Sequence, residues 1–232
     1  FFSQFRARHD SRPNKLLNMQ VINRPGIHHF TSHHVEDSPE VLERILDPEV
    51  NLCLWRRPVQ VDIAQELLAL GALDLPDVRR ETSSSSFSQD IITLMAEHQL
   101  DPDRFANLRA DLEALVSRFS QVSEGRNLRF RLVTTTDNDC KRFHLDRRNL
   151  RLICTYQGPG TEWLTDDQVD REALAACSHC ASVSRYGEPS QFHRFWVGIM
   201  RGDPANVGTG LVHRSPTIEG TGQVRVLFCL DS

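Results

Sequence analysis

The sequence predicts an α+β protein: an antiparallel β-sandwich or barrel in the C-terminal half, with N-terminal helices packed against its outside. Three observations predict it. Before residue 125 apolar residues recur at helical spacing behind Ser-Pro or Asp-Pro starts; from residue 126 the period drops to two; and the later strand-like runs are separated by Gly, Pro, Asn and Asp turns.

Taken in order, "DSPEVLERILDP" offers Ser38 as N-cap and Pro39 at the first helical position, with Val41, Leu42, Ile45 and Leu46 on one face until Asp47 and Pro48 stop it. "VNLCLWRRP" alternates Val50, Leu52 and Leu54 and reads as a strand. Helices follow in "VDIAQELLALG" and "SQDIITLMAEHQ". The serine-rich "RRETSSSSFSQD" reads as an exposed connector. The strongest helix is "DPDRFANLRADLEALVSRFSQV", where Asp101 can cap, Pro102 fits the first position, and Phe105, Leu108, Leu112, Leu115, Val116 and Phe119 form an apolar stripe. "NLRFRLVTTT" then alternates as a half-buried strand. Further strands are expected in "RLICTY", "FWVGIM", "GLVH" and "VRVLFCL", with one helical interruption at "DDQVDREALAAC". With no repeat and no evident linker, residues 19–232 read as a single domain, mainly helical over 19–125 and β-rich over 126–232. Residues 1–18, ahead of Met19, read as a disordered or non-native leader.

Composition bounds the partners. The 232 residues are 39% hydrophobic and 25% charged, which is ordinary for a globular chain and long enough to bury a site. A net charge of −4 and a pI near 6.2 give no basic face for nucleic acid or an anionic membrane. No run approaches the roughly 18–20 apolar residues of a membrane span, and the start lacks a secretory signal, so the expected address is the cytoplasm. Several of the six cysteines lie in apolar runs and are expected to be reduced thiols.

The chemistry gathers at "CKRFHLDRRNLRLICTYQGPGTEWL". On an extended strand His144 and Asp146, two apart, project to the same side and offer two metal ligands. His213, in "GLVHRSP", is the natural third. Two histidines and a carboxylate leave octahedral positions open, as non-haem Fe(II) oxygenases require; zinc accepts the same set. If the co-substrate is a 2-oxo acid, a cation must meet its distal carboxylate. Arg225, in "GQVRVLFCL", has the planar fork for that task, with Arg214 as fallback. Arg151, Thr155 and Tyr156 are placed to line the same cavity.

Those runs, with "GIMRGDPANVGTGLVHRSP", "RVLFCLD" and "NLCLWRRP", resemble a family of bacterial proteins known only as a domain of unknown function, from about residue 20 to the end. Its members are often encoded beside CobW-type metal-chaperone GTPases and in zinc-limitation gene sets, so the resemblance implies metal homeostasis and association with such a GTPase. The same stretch is similar, more loosely, to prolyl-hydroxylase-type oxygenases, in which an H-x-D leads into an apolar strand, with a distal histidine and then an arginine. His144, Asp146, His213 and Arg225 match that pattern. The resemblance implies a double-stranded β-helix (cupin-like, jelly-roll) core, Fe(II) and 2-oxoglutarate as cofactors, and hydroxylation of an unknown small-molecule or protein substrate. The rival expectation is a non-catalytic zinc-binding protein using the same triad.

Other motifs have plainer readings. "CSHC" has the C-x-x-C spacing of zinc sites, with Cys177, His179 and Cys180 as ligands, but no second pair follows; reduced cysteines at a helix end are expected. "HHFTSHH", carrying His28, His29, His33 and His34, reads as a flexible surface segment. Trp163 is expected in the core, and Gly158 and Gly160 in a turn.

Overall fold

Residue parity along each strand decides which side chains meet the helices and which meet the site. The computed structural model describes residues 32–71, 74–124, 127–176 and 183–232. Its first sheet has seven strands: β1 (His33–Glu36), β2 (Leu52–Trp55), β3 (Arg80–Thr82), β4 (Leu128–Thr135), β5 (Leu150–Gln157), β8 (Val197–Arg201) and β10 (Arg225–Asp231). Their order is β1-β2-β8-β5-β10-β4-β3, and every pairing is antiparallel except β1 with β2. A second sheet orders β7 (Ser190–Gln191), β6 (Glu162–Trp163) and β9 (His213–Arg214). The fold is mixed α+β around a large, mostly antiparallel sheet.

One face of the large sheet carries helices. Val226, Phe228 and Leu230 of β10, Leu152, Cys154 and Tyr156 of β5, and Phe130 and Leu132 of β4 share a buried cluster with the apolar stripes of α1 (Val61–Leu67), α2 (Phe87–Glu97) and α3 (Ala106–Val122). The predicted stripe of α3 is fully used: Leu108, Leu112, Leu115, Val116 and Phe119 are all buried. Burial of each such side chain is worth about 1.5–3 kcal/mol. The opposite face sends Ile153, Leu227, Cys229, Leu52, Leu54 and Met200 toward the second sheet, where they pack on Trp163, Phe192 and Leu211. Trp163 is therefore a core residue.

Several local expectations need correction. The first helix is a 3-10 helix (Pro39–Leu46), and Ser38 does not cap its backbone; its hydroxyl bonds Glu40 instead. Pro102–Phe105 is also 3-10, and there Asp101 does accept from the Asp103 amide at 3.1 Å. The serine-rich loop is more than a connector: Ser83 and Ser86 exchange side-chain and backbone bonds, and Ser86 donates to Asp90, which closes the turn into α2. Three strands of the first half, β1, β2 and β3, belong to the large sheet. His33 and His34 sit in β1, where the His33 ring packs edge-on against Trp163 at 4.9 Å, so this part of the histidine tract is structured. His28 and His29 lie outside the described residues, as do "CSHC" and residues 1–18. The interruption near 170 is a short helix, α4 (Arg171–Ala176). No helix among the described residues is long and apolar enough to cross a membrane.

Candidate metal centre

His144 and Asp146 do not lie on a strand, as the reading of their spacing supposed; they fall in the segment between β4 and β5. Residues 140–148 run beside β9 through a single antiparallel bridge, in which His144 N donates to His213 O at 3.0 Å and His213 N to His144 O at 3.1 Å, while Ser215 N donates to Cys140 O. The bridge sets the two imidazoles side by side, with centroids 4.6 Å apart. Local extension still brings Asp146 to the same side as His144. Its backbone is fixed from below, where Asp203 N donates to Asp146 O at 2.7 Å and Gly202 N to Asn149 O at 3.0 Å.

Gly202 is a requirement of this arrangement that the sequence did not announce. A Cβ there would stand 2.1 Å from Arg148 O and 2.7 Å from Asp146 O, so only glycine lets the chain leaving β8 pass beneath the aspartate segment. Gly158 plays a similar part where β5 ends. Its φ of +77° demands glycine, and a Cβ would meet Val224 O at 2.8 Å, just before Arg225. A register shift between Val226 and Leu227 follows at once, a kind of irregularity that re-aims neighbouring side chains.

The ring nitrogens are divided by their bonds. His144 Nδ1 lies 2.9 Å from Arg142 O and His213 Nδ1 lies 3.1 Å from Leu211 O, so each Nδ1–H is taken by a carbonyl and each Nε2 faces inward. Nε2 of His144 is 3.7 Å from Asp146 Oδ1, and Nε2 of His213 is 3.4 Å from Asp146 Oδ2. One ligand atom from each of the three lies within 4.8 Å of the others, and no other group of this kind occurs among the described residues. Asp146 Oδ2 is buried without a hydrogen bond of good geometry, although Arg151 Nη1 stands 2.7 Å away. Two inward imidazole nitrogens and an under-satisfied carboxylate oxygen fit a divalent first-row cation with open positions.

The charges respond to the crowding. Burial pushes His213 down to about 4, so it is neutral at neutral pH. Burial also opposes a proton on His144, but its pairing with Asp146 and Cys140 outweighs that and holds it up at about 10. Burial alone would raise Asp146; His144 and Arg151 instead keep it well below the usual carboxylate range.

The triad opens on a cavity of about 450 Å³ whose far wall is β10 and β5. Arg225 lies in that wall and is only 2% exposed. Its Nη2 donates to Thr161 Oγ1 at 3.0 Å and to Thr155 Oγ1 at 3.4 Å, its Nε has no partner, and no carboxylate pairs with it among the described residues. Burial draws its pKa down to about 10, still cationic at neutral pH. A buried unpaired guanidinium is costly, and an anion in the cavity would offset that cost.

Four further expectations divide. Thr155 holds Arg225, as described. Arg151 lines the cavity but is spoken for: Nε and Nη2 bind Asp231 at 2.6 and 3.0 Å, and Nη1 faces Asp146. Arg214, the fallback, leaves for Glu162 at 2.6 Å and stacks over Phe143. Tyr156 must be corrected outright. Parity sends it through the sheet to the helical face with Cys154, where its hydroxyl donates to Asp111, which also holds Arg57 through two bonds.

Residues 36–231 match the family described as protein of unknown function, DUF1826. The chain belongs to this family. No curated protein matches the DUF1826 chain in sequence. Among solved structures, it is similar to a dioxygenase for auxin oxidation from Arabidopsis thaliana, in binary complex with 2-oxoglutarate, at TM-score 0.51 and 10% identity, covering 87% of this chain and 92% of that one. A rice dioxygenase for auxin oxidation aligns at TM-score 0.44 and 15% identity over 82% and 76% of the two chains. A Pseudomonas putida prolyl-4-hydroxylase aligns at 0.33 and 9% over 76% and 94%. The first of these shows a shared fold.

Proposed function

We propose that this DUF1826 protein is a non-haem Fe(II)- and 2-oxo-acid-dependent oxygenase on a double-stranded β-helix core. Its metal would be held by His144 Nε2, Asp146 and His213 Nε2, and 2-oxoglutarate or a similar oxo acid by Arg225. The observation that carries the reading is the buried, unpaired Arg225 in the wall of the cavity that the triad opens on. The fold shared with a 2-oxoglutarate complex supports it. When bound, metal and oxo acid supply an oxidative decarboxylation: one oxygen atom of O2 enters a substrate C–H bond as hydroxyl, the other the carboxylate left as CO2 departs.

The chain's part is placement. The carbonyls of Arg142 and Leu211 fix the imidazole tautomers; Arg151 steadies Asp146; Thr155 and Thr161 aim the Arg225 fork, which can take a carboxylate through two parallel bonds. Ile153 and Leu227 line the same space and limit its water.

A second reading, zinc held without turnover, has one observation in its favour. Cys140 lines the same cavity, and its pairing with His144 lowers the thiol's pKa, making it a soft neighbour of the kind zinc accepts. Elemental analysis of protein purified anaerobically without chelator, then titration of 2-oxoglutarate into the Fe(II) form, separates the two. The oxygenase reading expects a visible charge-transfer band that vanishes in Arg225→Ala and His213→Ala. Tightly held zinc with no band supports the second reading, and no stoichiometric metal sinks both.

A further inference from the structure

The cavity beside the triad is far more cationic than the protein around it. Seven arginines and three aspartates line it, while the whole chain carries −4. The acidic partners do not balance the account evenly. Arg131 has Asp77 at 2.8 Å and Asp139 at 3.8 Å, Arg151 has Asp146 and Asp231, and Arg214 has Glu162. Arg225, deep in the wall, is reserved in the proposed function for the oxo acid.

Arg148 stands 3.5 Å from Asp231, which leaves two guanidinium groups of the seven, Arg79 and Arg147. Arg79, exposed, has no hydrogen-bond or ion-pair partner among the described residues. Arg147 has a side chain 58% exposed and gives Nη1 to Asp203 O at 3.3 Å. The Asp203 carboxylate is a distant 3.9 Å from Arg147, and both its oxygens are already engaged by the amides of Val207 and Gly208 at 2.9 Å. Arg147 therefore keeps most of its donors free. Like charges gathered in a walled concavity repel one another and focus their field on its opening, an arrangement that an incoming anion relieves.

We infer that Arg79 and Arg147 form a second anion site at the cavity mouth, and that the molecule oxidised is a small carboxylate- or phosphate-bearing compound. This rests on the oxygenase reading and adds its substrate class. The mouth pair holds the anionic group by charge-assisted bonds, the body of the molecule extends toward the triad, and Arg225 remains for the co-substrate.

The test is a calorimetric titration of inorganic phosphate into the metal-free full chain at low salt, with acetate in parallel. Phosphate is expected to saturate, in the wild type and in Arg225→Gln alike, one site that binds at least tenfold more weakly in Arg79→Gln/Arg147→Gln. Arg44→Gln/Arg118→Gln, the same loss of charge at two residues that do not line the cavity, is expected to stay within twofold of wild type. Phosphate tighter than acetate assigns a phosphate ester, and parity or the reverse a carboxylate. No saturable binding, or equal binding by wild type and the mouth variant, overturns the inference. Because neither metal nor oxo acid is present, this outcome is independent of the charge-transfer band that tests the oxygenase reading.

Discussion

Arg151 Nη1 stands 2.7 Å from Asp146 Oδ2, and the same guanidinium grips Asp231 on the neighbouring strand, so one cation ties the aspartate of the triad to the middle of the large sheet. All three side chains are largely buried. Removing one member leaves buried charge without its partner, which costs far more than the pair itself contributes. Arg151→Gln is expected to lose about 3 kcal/mol or more in urea unfolding of the metal-free chain. Arg151→Met combined with Asp231→Leu is expected to recover more than half of it. A loss below about 1 kcal/mol in the single variant would mean that the pair is solvated.

Tyr156 supplies a test of sidedness. It donates to Asp111 on the helical face, away from the cavity. Tyr156→Phe is expected to cost about 1.5–3 kcal/mol, the range for a bond to a charged acceptor, and to leave 2-oxoglutarate affinity unchanged. Asp111→Ala strands the buried Arg57 as well and is expected to cost about 3–5 kcal/mol. A shift in oxo-acid affinity with Tyr156→Phe would contradict the parity of β5.

His213 makes the metal-free protein acid-sensitive. Its folded pKa is near 4, and an unfolded histidine titrates near 6.5. Between those values the unfolded chain binds more protons, so stability is full above pH 6.5 and falls as pH drops toward 4. From pH 7 to pH 5 the wild type is expected to lose about 2 kcal/mol relative to His213→Asn. Parallel stability curves for the two proteins would mean that His213 is not buried neutral.

Gly202→Ala reaches the metal without touching a ligand. The new methyl would press on the carbonyls of Asp146 and Arg148 and displace the carboxylate they position. Metal affinity is expected to fall 10- to 100-fold, as for loss of a ligand's supporting contacts, measured by competition with a colorimetric chelator. Unchanged affinity would show that the 146–148 segment adapts freely.

The grouping of His144, Asp146 and His213 was legible because it obeys short-range rules. His144 and Asp146 share a side through i, i+2 extension, which survives although the segment makes only one bridge. Arg225 opens an apolar strand, "RVLFCLD", buried along its whole length, and lines the cavity on the same parity as Leu227 and Cys229. Tyr156 was misplaced against a contrast that β5 does carry: Leu150, Leu152, Cys154 and Tyr156 form its apolar side and meet the helices, while Arg151, Ile153 and Thr155 take the cavity side, so adjacent Thr155 and Tyr156 cannot share one cavity. β1 and β3 were invisible for a different reason. Four residues "HHVE" and three residues "RET" are held by their neighbours' backbone, and their own side chains carry little pattern. Gly202 could have been found only by knowing that the chain leaving β8 runs beneath residues 146–148, a tertiary fact.

β4 and β5 follow each other in the chain but do not pair; β10 lies between them and bonds to both. A polypeptide that has made residues 128–157 must therefore wait about seventy residues for the strand that joins them. Until then two long, apolar strands hold unpaired backbone edges, the state from which β-rich chains misassociate. Such long-range closure is slow. The strand that carries Arg225 is thus also the one whose arrival completes the sheet, and the buried, unpaired arginine takes its place in the same event that commits the chain to its native form.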